Sequence, residues 1–533
     1  MILYVVLAPR VQLVNHLPLD NSPEVLSSKA REIAKAVGYV NRPADTAYGY
    51  LDEDGYKETF KDRIKGPENW DRTLAAAPFP AYFWQRQSPD LLAPIHYQGN
   101  GTVSVDDPFP SVPGMVTITL ELDGSLRSFA AVPPEHESSP SAAAVDWVQF
   151  FTLAHLDIAK FQPAQPEWAP LTATDTRVAW TGDYPGPNAI PIRVEAASFA
   201  GKPVYFNIVW PWTKPVHESS KAGSTLTSIV TGSFSVIWWM VNLGAIWVAW
   251  LNLKSGRGDA RGAFRVGIYI CVARILMWML GAHHLPGRAE EALFTEALAQ
   301  SVFEGVRFWI FYLALEPWVR RYWPQTLITW ARVVAGRLRD PLVGRDVLYS
   351  VLFGMLYSLF ILAYEVWDMH NGNGYPNGDV SLPALMGMRA FSGQISQDLF
   401  YGLTNALQFF TFLFLLKALV RKHWIAAVLL VAIFVTLKAG TSSSSGGPIL
   451  WAFWTVIYGI LVFLMLRYGM FALLAMIFVI NSTVGNYMTT DFTAWYGLSS
   501  FAILVLLGGL ALWGFRVSLG GRPLFSTAAL EKT

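Results

Sequence analysis

The chain has 533 residues, 53% hydrophobic and 15% charged, with a mean hydropathy of +0.33; soluble domains carry about 25% charged residues, so an ordinary soluble enzyme is excluded. The net charge of +1 conceals two unlike parts, because residues 1–220 hold 17 Lys/Arg against 25 Asp/Glu and residues 221–533 hold 23 against 14. The basic residues form short clusters between apolar runs, which excludes the basic face of a nucleic-acid-binding domain, and the lone cysteine, Cys271, excludes a disulfide framework, cysteine zinc sites and iron–sulfur clusters.

The start, MILYVVLA, is too short to cross about 30 Å of hydrocarbon and lacks the basic flank of a signal peptide. Two readings stand: residues 1–10 are the end of a span continued from a longer parent, or the segment packs on the membrane surface. From Asn21 the pattern becomes that of a folded domain. Asn21 or Ser22 can cap a helix with Pro23 in its first turn, apolar at Val25, Ile33 and Val37 and stopped at Gly38. Strands are predicted near Ala47–Tyr50 and Ala81–Gln87, and MVTITLELDGSLRSFAAV reads as a hairpin turning at Asp123–Gly124. A second round follows, with a helix over Val145–Ala159, a strand over Arg177–Trp180 and a hairpin over Ile192–Trp210 turning at Gly201–Lys202. Residues 11–220 are therefore expected to be a soluble α+β domain, with an α-β-β-β unit in tandem as one reading.

Residues 221–525 are expected to be a membrane α-helical bundle of about nine spans, with 526–533 as a tail. The apolar runs lie near 226–253, 264–283, 300–318, 347–367, 396–418, 423–437, 449–466, 470–487 and 495–515. Sixteen basic residues, from Lys254 to Arg522, fall at every second connection, whereas the intervening ones hold Arg288, Arg389 and Lys438. The positive-inside rule puts the crowded side in the cytoplasm, the acidic domain outside and the carboxyl terminus inside. Tryptophans such as Trp247, Trp250, Trp318 and Trp424, beside span ends, suit such a bundle.

Ionisable residues inside spans are costly and are the first place to look for function. Arg274 lies near the middle of the second span, and Glu304 and Arg307 share a face of the third. They read either as an ion pair that fixes helix registry or as part of a solute path. Asp398, Glu316, Glu365 and Lys417 lie near span ends and read as interfacial. Between Trp318 and Asp346, Leu327, Trp330, Val333, Val334 and Leu338 alternate with Arg332, Arg337 and Arg339 at near-helical spacing, as in a cytoplasmic interfacial helix that meets anionic lipid or a protein partner.

Motifs for chemistry are sparse. GNGYPNG at 372–378 has the wrong spacing for a phosphate loop and no lysine, and the oxygen donors from Asp368 to Asp379 do not follow the order of an EF-hand. His283 and His284 are adjacent, so on a helix they would point about 100° apart, unlike two zinc ligands on one face. No HExxH is present, and Glu290–Glu291 lacks the arginine expected of CAAX-type intramembrane proteases. No cofactor or metal is expected.

Three stretches together, AREIAKAVGYVNRPADTAYGY (30–50), LALEPWVRRYWPQTLITWARVVAGRLRDPLVGRDVL (313–348) and TDFTAWYGLSS with GFRVSLGGRPLF (490–500 and 514–525), resemble the carboxyl-terminal sensor-plus-membrane region of acidobacterial-type transmembrane serine/threonine protein kinases. The resemblance implies a multi-pass protein of the bacterial inner membrane, acting as the sensory or anchoring part of a signalling system and partnered by the bilayer and a cytoplasmic kinase module. It carries no kinase chemistry here, since the glycine-rich loop with its lysine, the HRD-type loop and the DFG are missing. A transporter or channel is the alternative and an intramembrane protease the third reading. The ligand is not legible.

Overall fold

The computed structural model describes residues 1–53, 55–95, 101–136, 145–186, 190–215, 225–371, 374–376, 382–441 and 447–522. A short helix α1 (Ile2–Leu7) and two single turns lead into α2 (Pro23–Ala36), β1 (Asp45–Asp52), α3 (Tyr56–Phe60), α4 (Pro67–Leu74), β2 (Ala81–Ser88), β3 (Val116–Leu120) and β4 (Leu126–Ala131). Then follow α5 (Trp147–Leu153), β5 (Gln162–Ala164), β6 (Thr176–Tyr184), β7 (Ile190–Phe199) and β8 (Lys202–Val209). The eight strands form one antiparallel sheet in the order β1-β2-β3-β4-β8-β7-β6-β5.

Each half of this soluble α+β domain is thus a helix followed by a four-stranded meander, and the halves meet where β4 pairs with β8, Phe129 opposite Phe206. Compared with the expected α-β-β-β unit, α3, α4 and the three-residue β5 are additional; they are too short to leave a periodic signal. The hairpins turn where backbone freedom is needed: Gly124 has φ 89°, and Ala200 and Gly201 have φ 50° and 75°. The second pair suits a tight turn with both central residues left-handed, one residue earlier than expected.

Along α2, Leu26, Ala30, Ile33 and Ala34 face the sheet at helical spacing, and Val25, expected on that face, is exposed. On α5, Phe150 meets Phe129 edge to face at 5.6 Å and Phe206 at a tilt at 5.2 Å, so the second helix clamps the seam between the halves. One charged cluster lies inside this core. Arg127 bridges the carboxylates of Glu121, at 3.1 Å, and Glu53, beneath the rings of Tyr82 and Trp210.

The second half is helical: α6 (Thr225–Lys254), α7 (Ala260–Gly281), α8 (Arg288–Tyr322), α9 (Pro324–Val334), α10 (Pro341–Asn371), α11 (Met388–Val420), α12 (His423–Thr441), α13 (Gly447–Tyr468), α14 (Met470–Val484) and α15 (Gly497–Ser518). All nine apolar runs are helices. Among the described residues, however, five stretches are both long and apolar enough to cross a membrane: α7, α10, α11, Pro448–Tyr468 of α13, and α15. His423–Lys438 and Met470–Val484 are apolar but shorter, and α8 carries acidic residues along its length, including Glu290, Glu296 and Glu304. Among the described residues, length and composition thus support five spans and not clearly nine.

Helices α7 and α8 cross closely at two glycines. A Cβ on Gly305 would sit 2.8 Å from the Gly267 carbonyl oxygen, and one on Gly267 would sit 2.9 Å from that of Gly305. Gly305→Val is accordingly expected to cost about 1–3 kcal/mol through overpacking. Thermal unfolding of the full chain in nanodiscs measures this, and an unchanged midpoint would contradict the close crossing.

Candidate functional site

The sheet domain is joined to one end of the bundle by polar contacts concentrated at the ends of α7 and α14. The last carbonyls of a helix have no intrahelical partner, and at the end of α14 the amino-terminal segment supplies one: the Tyr4 hydroxyl donates to the Thr483 carbonyl at 2.8 Å. Gln12, extended between two turns, donates its amide to the Asn486 carbonyl at 3.2 Å and accepts from the Met488 N–H at 2.7 Å. Asn15 donates to the Met488 carbonyl at 3.1 Å, and the Trp495 indole to the Leu19 carbonyl at 2.7 Å. Tyr4, Gln12, Thr483, Asn486 and Met488 are all buried. The amino-terminal segment is thus held by the 483–495 stretch through paired polar groups.

A second attachment lies beyond α7. His283 Nε2 is 2.9 Å from Asp45 Oδ2 on β1, and the His283 N–H donates to the Gly101 carbonyl at 2.7 Å. Asp45 also accepts from the Leu92 and Thr46 N–H groups, at 2.9 and 2.7 Å. Burial opposes ionisation of Asp45, but the hydrogen bond from His283 and those backbone donors outweigh it and hold its carboxyl below the ordinary value. His284 turns instead to Glu290, at 2.6 Å, which also accepts from the Leu285 N–H. The adjacent histidines therefore have separate partners. Arg389, at the start of α11, donates to the Ala282 carbonyl. Tyr375 meets Trp70 of α4 edge to face at 4.7 Å; most of the 372–378 loop and its acidic neighbour Asp379 lie outside the described residues.

Beneath the junction, Asp398 of α11 is buried, with Gln394 and Asn486 donating to its oxygens at 3.3 and 3.5 Å and Ser482 beside it. Glu316 is also buried and paired with Arg320, and Lys417 is buried too. These three were expected to be interfacial; the helices extend past the apolar windows and pack together, so residues near the window ends remain inside the bundle.

The charged residues singled out in the second and third spans, Arg274, Glu304 and Arg307, lie close together. Glu304 pairs with Arg307 on its own helix at 2.6 Å, three residues apart. Arg274 lies with its guanidinium 5.5 Å from the Phe400 ring centre while contributing to the field at Glu304. The three charges therefore form one neighbourhood spanning α7 and α8. The expected interfacial helix is shorter than its apolar spacing suggested. It ends at Val334, because Gly336, at φ 80°, turns the chain, and Pro341 starts α10. Arg332 pairs with Asp340, whereas Arg337, Leu338 and Arg339 are exposed on the connection. Thr326, Trp330 and Val334 are buried against the bundle.

In the sheet domain a cavity of about 420 Å³ opens beside the end of α2. Val116, Val132 and Val204 line it with apolar groups, Arg42 and Lys202 supply cationic groups, and Gln87 lines it with an amide nitrogen that has no hydrogen-bond partner among the described residues. Among the described residues no group of three or more His, Cys, Asp or Glu is placed to hold a metal ion. The junction escaped sequence reasoning because Gln12 and Asn486 are isolated polar residues in segments with no motif. No protein-family model, curated protein or solved structure matches the chain.

Proposed function

We propose that the chain is the sensory or anchoring module of a multi-pass bacterial inner-membrane signalling protein, linked to a cytoplasmic serine/threonine kinase module. In this reading the sheet domain is extracytoplasmic, all nine apolar helices cross, and the sixteen basic residues face the cytoplasm. The observation that carries it is the junction: Gln12 ties the amino-terminal segment to the stretch after α14 through buried hydrogen bonds, and Asp45 of β1 meets His283 just beyond α7 through a part-buried one. A change in the sheet then meets rigid helices and not a loose tether. The basic clusters, including Arg257, Arg321, Lys417 and Arg516, lie at helix ends opposite those that meet the sheet, which supports the orientation. The kinase link rests on the resemblance of residues 30–50, 313–348, 490–500 and 514–525.

A transporter or channel is the second reading, favoured by Asp398, since a buried carboxylate within an apolar helix is costly to maintain without a role. Reconstituting the full chain in liposomes and recording ion and proton flux separates the two. The signalling reading predicts no flux above that of empty liposomes. A flux abolished by Asp398→Asn would overturn it in favour of transport.

A further inference from the structure

We infer that the cavity between α6, α8 and α11, at the bundle end remote from the sheet, binds the phosphate-bearing headgroup of an anionic phospholipid through Lys417, Arg257 and Arg421. The cavity measures about 790 Å³. Its rear wall is fixed by a local chain of cause: Pro317 has no N–H to offer the carbonyl four residues earlier. Asn252 of α6 supplies that donor instead, reaching the Leu313 carbonyl at 2.9 Å and the Ala314 carbonyl at 3.1 Å.

Lys417 is the decisive residue. It is 9% exposed, lines the cavity, and among the described residues its buried ammonium has no hydrogen-bond acceptor. The rings of Tyr322 and Trp323 flank it at 4.4 and 4.1 Å, and the Trp323 indole is held by His423 Nδ1 at 2.8 Å. Those π-faces attract a cation, yet an ammonium has three donors to satisfy and a buried charge is stable only when paired. Arg257 and Arg421 bring two more cations to the same cavity, and among the described residues no carboxylate lines it. The neighbouring Glu316 is already engaged by Arg320.

Apart from Asn252, Ser255 and Tyr322 the remaining lining is apolar, including Trp247 and Phe414, and Trp247 is 63% exposed. A free phosphate would fill the cationic end alone. A phosphodiester carrying acyl chains fills both parts, and basic pockets between membrane helices suit such headgroups.

The test is native mass spectrometry of the full chain released from nanodiscs of phosphatidylcholine with and without phosphatidylglycerol. Wild-type protein should retain phosphatidylglycerol in preference to phosphatidylcholine, and Lys417→Gln should lower its occupancy about fivefold, the effect of one basic residue at a charged membrane surface. Arg421→Asn guards against a folding defect, because Arg421 caps α11 at φ 60°, a conformation asparagine tolerates, and it should give a similar loss. Arg339→Gln, exposed on the α9–α10 connection, should leave occupancy unchanged. Equal loss in Arg339→Gln, no loss in Arg421→Asn, or displacement of the lipid by inorganic phosphate would each overturn the assignment.

Discussion

Arg127→Met is expected to cost the sheet domain about 3–5 kcal/mol, because it takes out of the core the cation that pairs with the buried Glu121 and with Glu53. Glu121 and Glu53 both pair with Arg127, Glu121 is 1% exposed, and its other oxygen accepts only from the Phe79 N–H, at 3.1 Å. Burial pushes the Glu121 carboxyl up to about 7, against the pull of Arg127 and the Phe79 N–H. The sign follows directly: between its unfolded value of 4.5 and about 7 the folded protein holds a proton that the unfolded chain has released, so stability falls as pH rises through that window. Removing Arg127 takes away the group that favours ionisation, so the loss should be largest above pH 7 and partly relieved near pH 5. Tryptophan fluorescence during thermal unfolding of the full chain reports on the site, since Trp210 lies over Arg127 and stacks on Trp212 at 5.3 Å. Glu121→Gln should flatten the pH dependence in the same window. A pH-independent defect in Arg127→Met would show that lost packing, and not the lost charge pairing, is responsible.

Gln12→Leu is expected to be nearly as damaging, for a different reason. The substitution keeps the volume but strands the Asn486 carbonyl and the Met488 N–H, both now satisfied by one amide. Each unsatisfied buried group costs about 1–3 kcal/mol, so the junction should weaken by about 2–6 kcal/mol. The loss should be local: amide hydrogen exchange should rise across 1–20 and 483–496 and stay unchanged in the β3–β4 hairpin, whose bonds do not involve this segment. Gln12→Glu separates shape from hydrogen bonding, since a carboxylate can accept from Met488 but cannot donate to Asn486. Unchanged exchange in both variants would remove the junction from the account.

What was legible in the sequence is what leaves a local trace. Asp123–Gly124 and Gly201 flagged the two hairpins because their turns demand a residue tolerant of positive φ, and the nine apolar runs flagged nine helices because lipid-facing and core-facing positions are both apolar. The number that cross was harder to read, since α8 is interrupted by acidic residues that a short hydropathy window passes over. Site residues were legible only where both partners lie on one element. Glu304 and Arg307 share a face of α8, but the position of Arg274 depends on how α7 and α11 pack. The triad in the sheet did leave a signal that alternation could have caught: Glu121 and Arg127 flank the turn, each next to an apolar arm of the same hairpin. The junction left none, because Gln12 and Asn486 are 474 residues apart in the chain and become neighbours only through tertiary packing.

The proposed function depends most on the two ends of the molecule lying on opposite sides of a membrane. With Cys271 replaced by Ser, single cysteines introduced as Ser28→Cys on the exposed face of α2 and Ala335→Cys after α9 can be labelled with a membrane-impermeant maleimide. In cells whose outer barrier is opened and whose inner membrane is intact, the Ser28 position should label at once and the Ala335 position only after lysis. Labelling of both positions before lysis, or of Ala335 alone, would contradict the account.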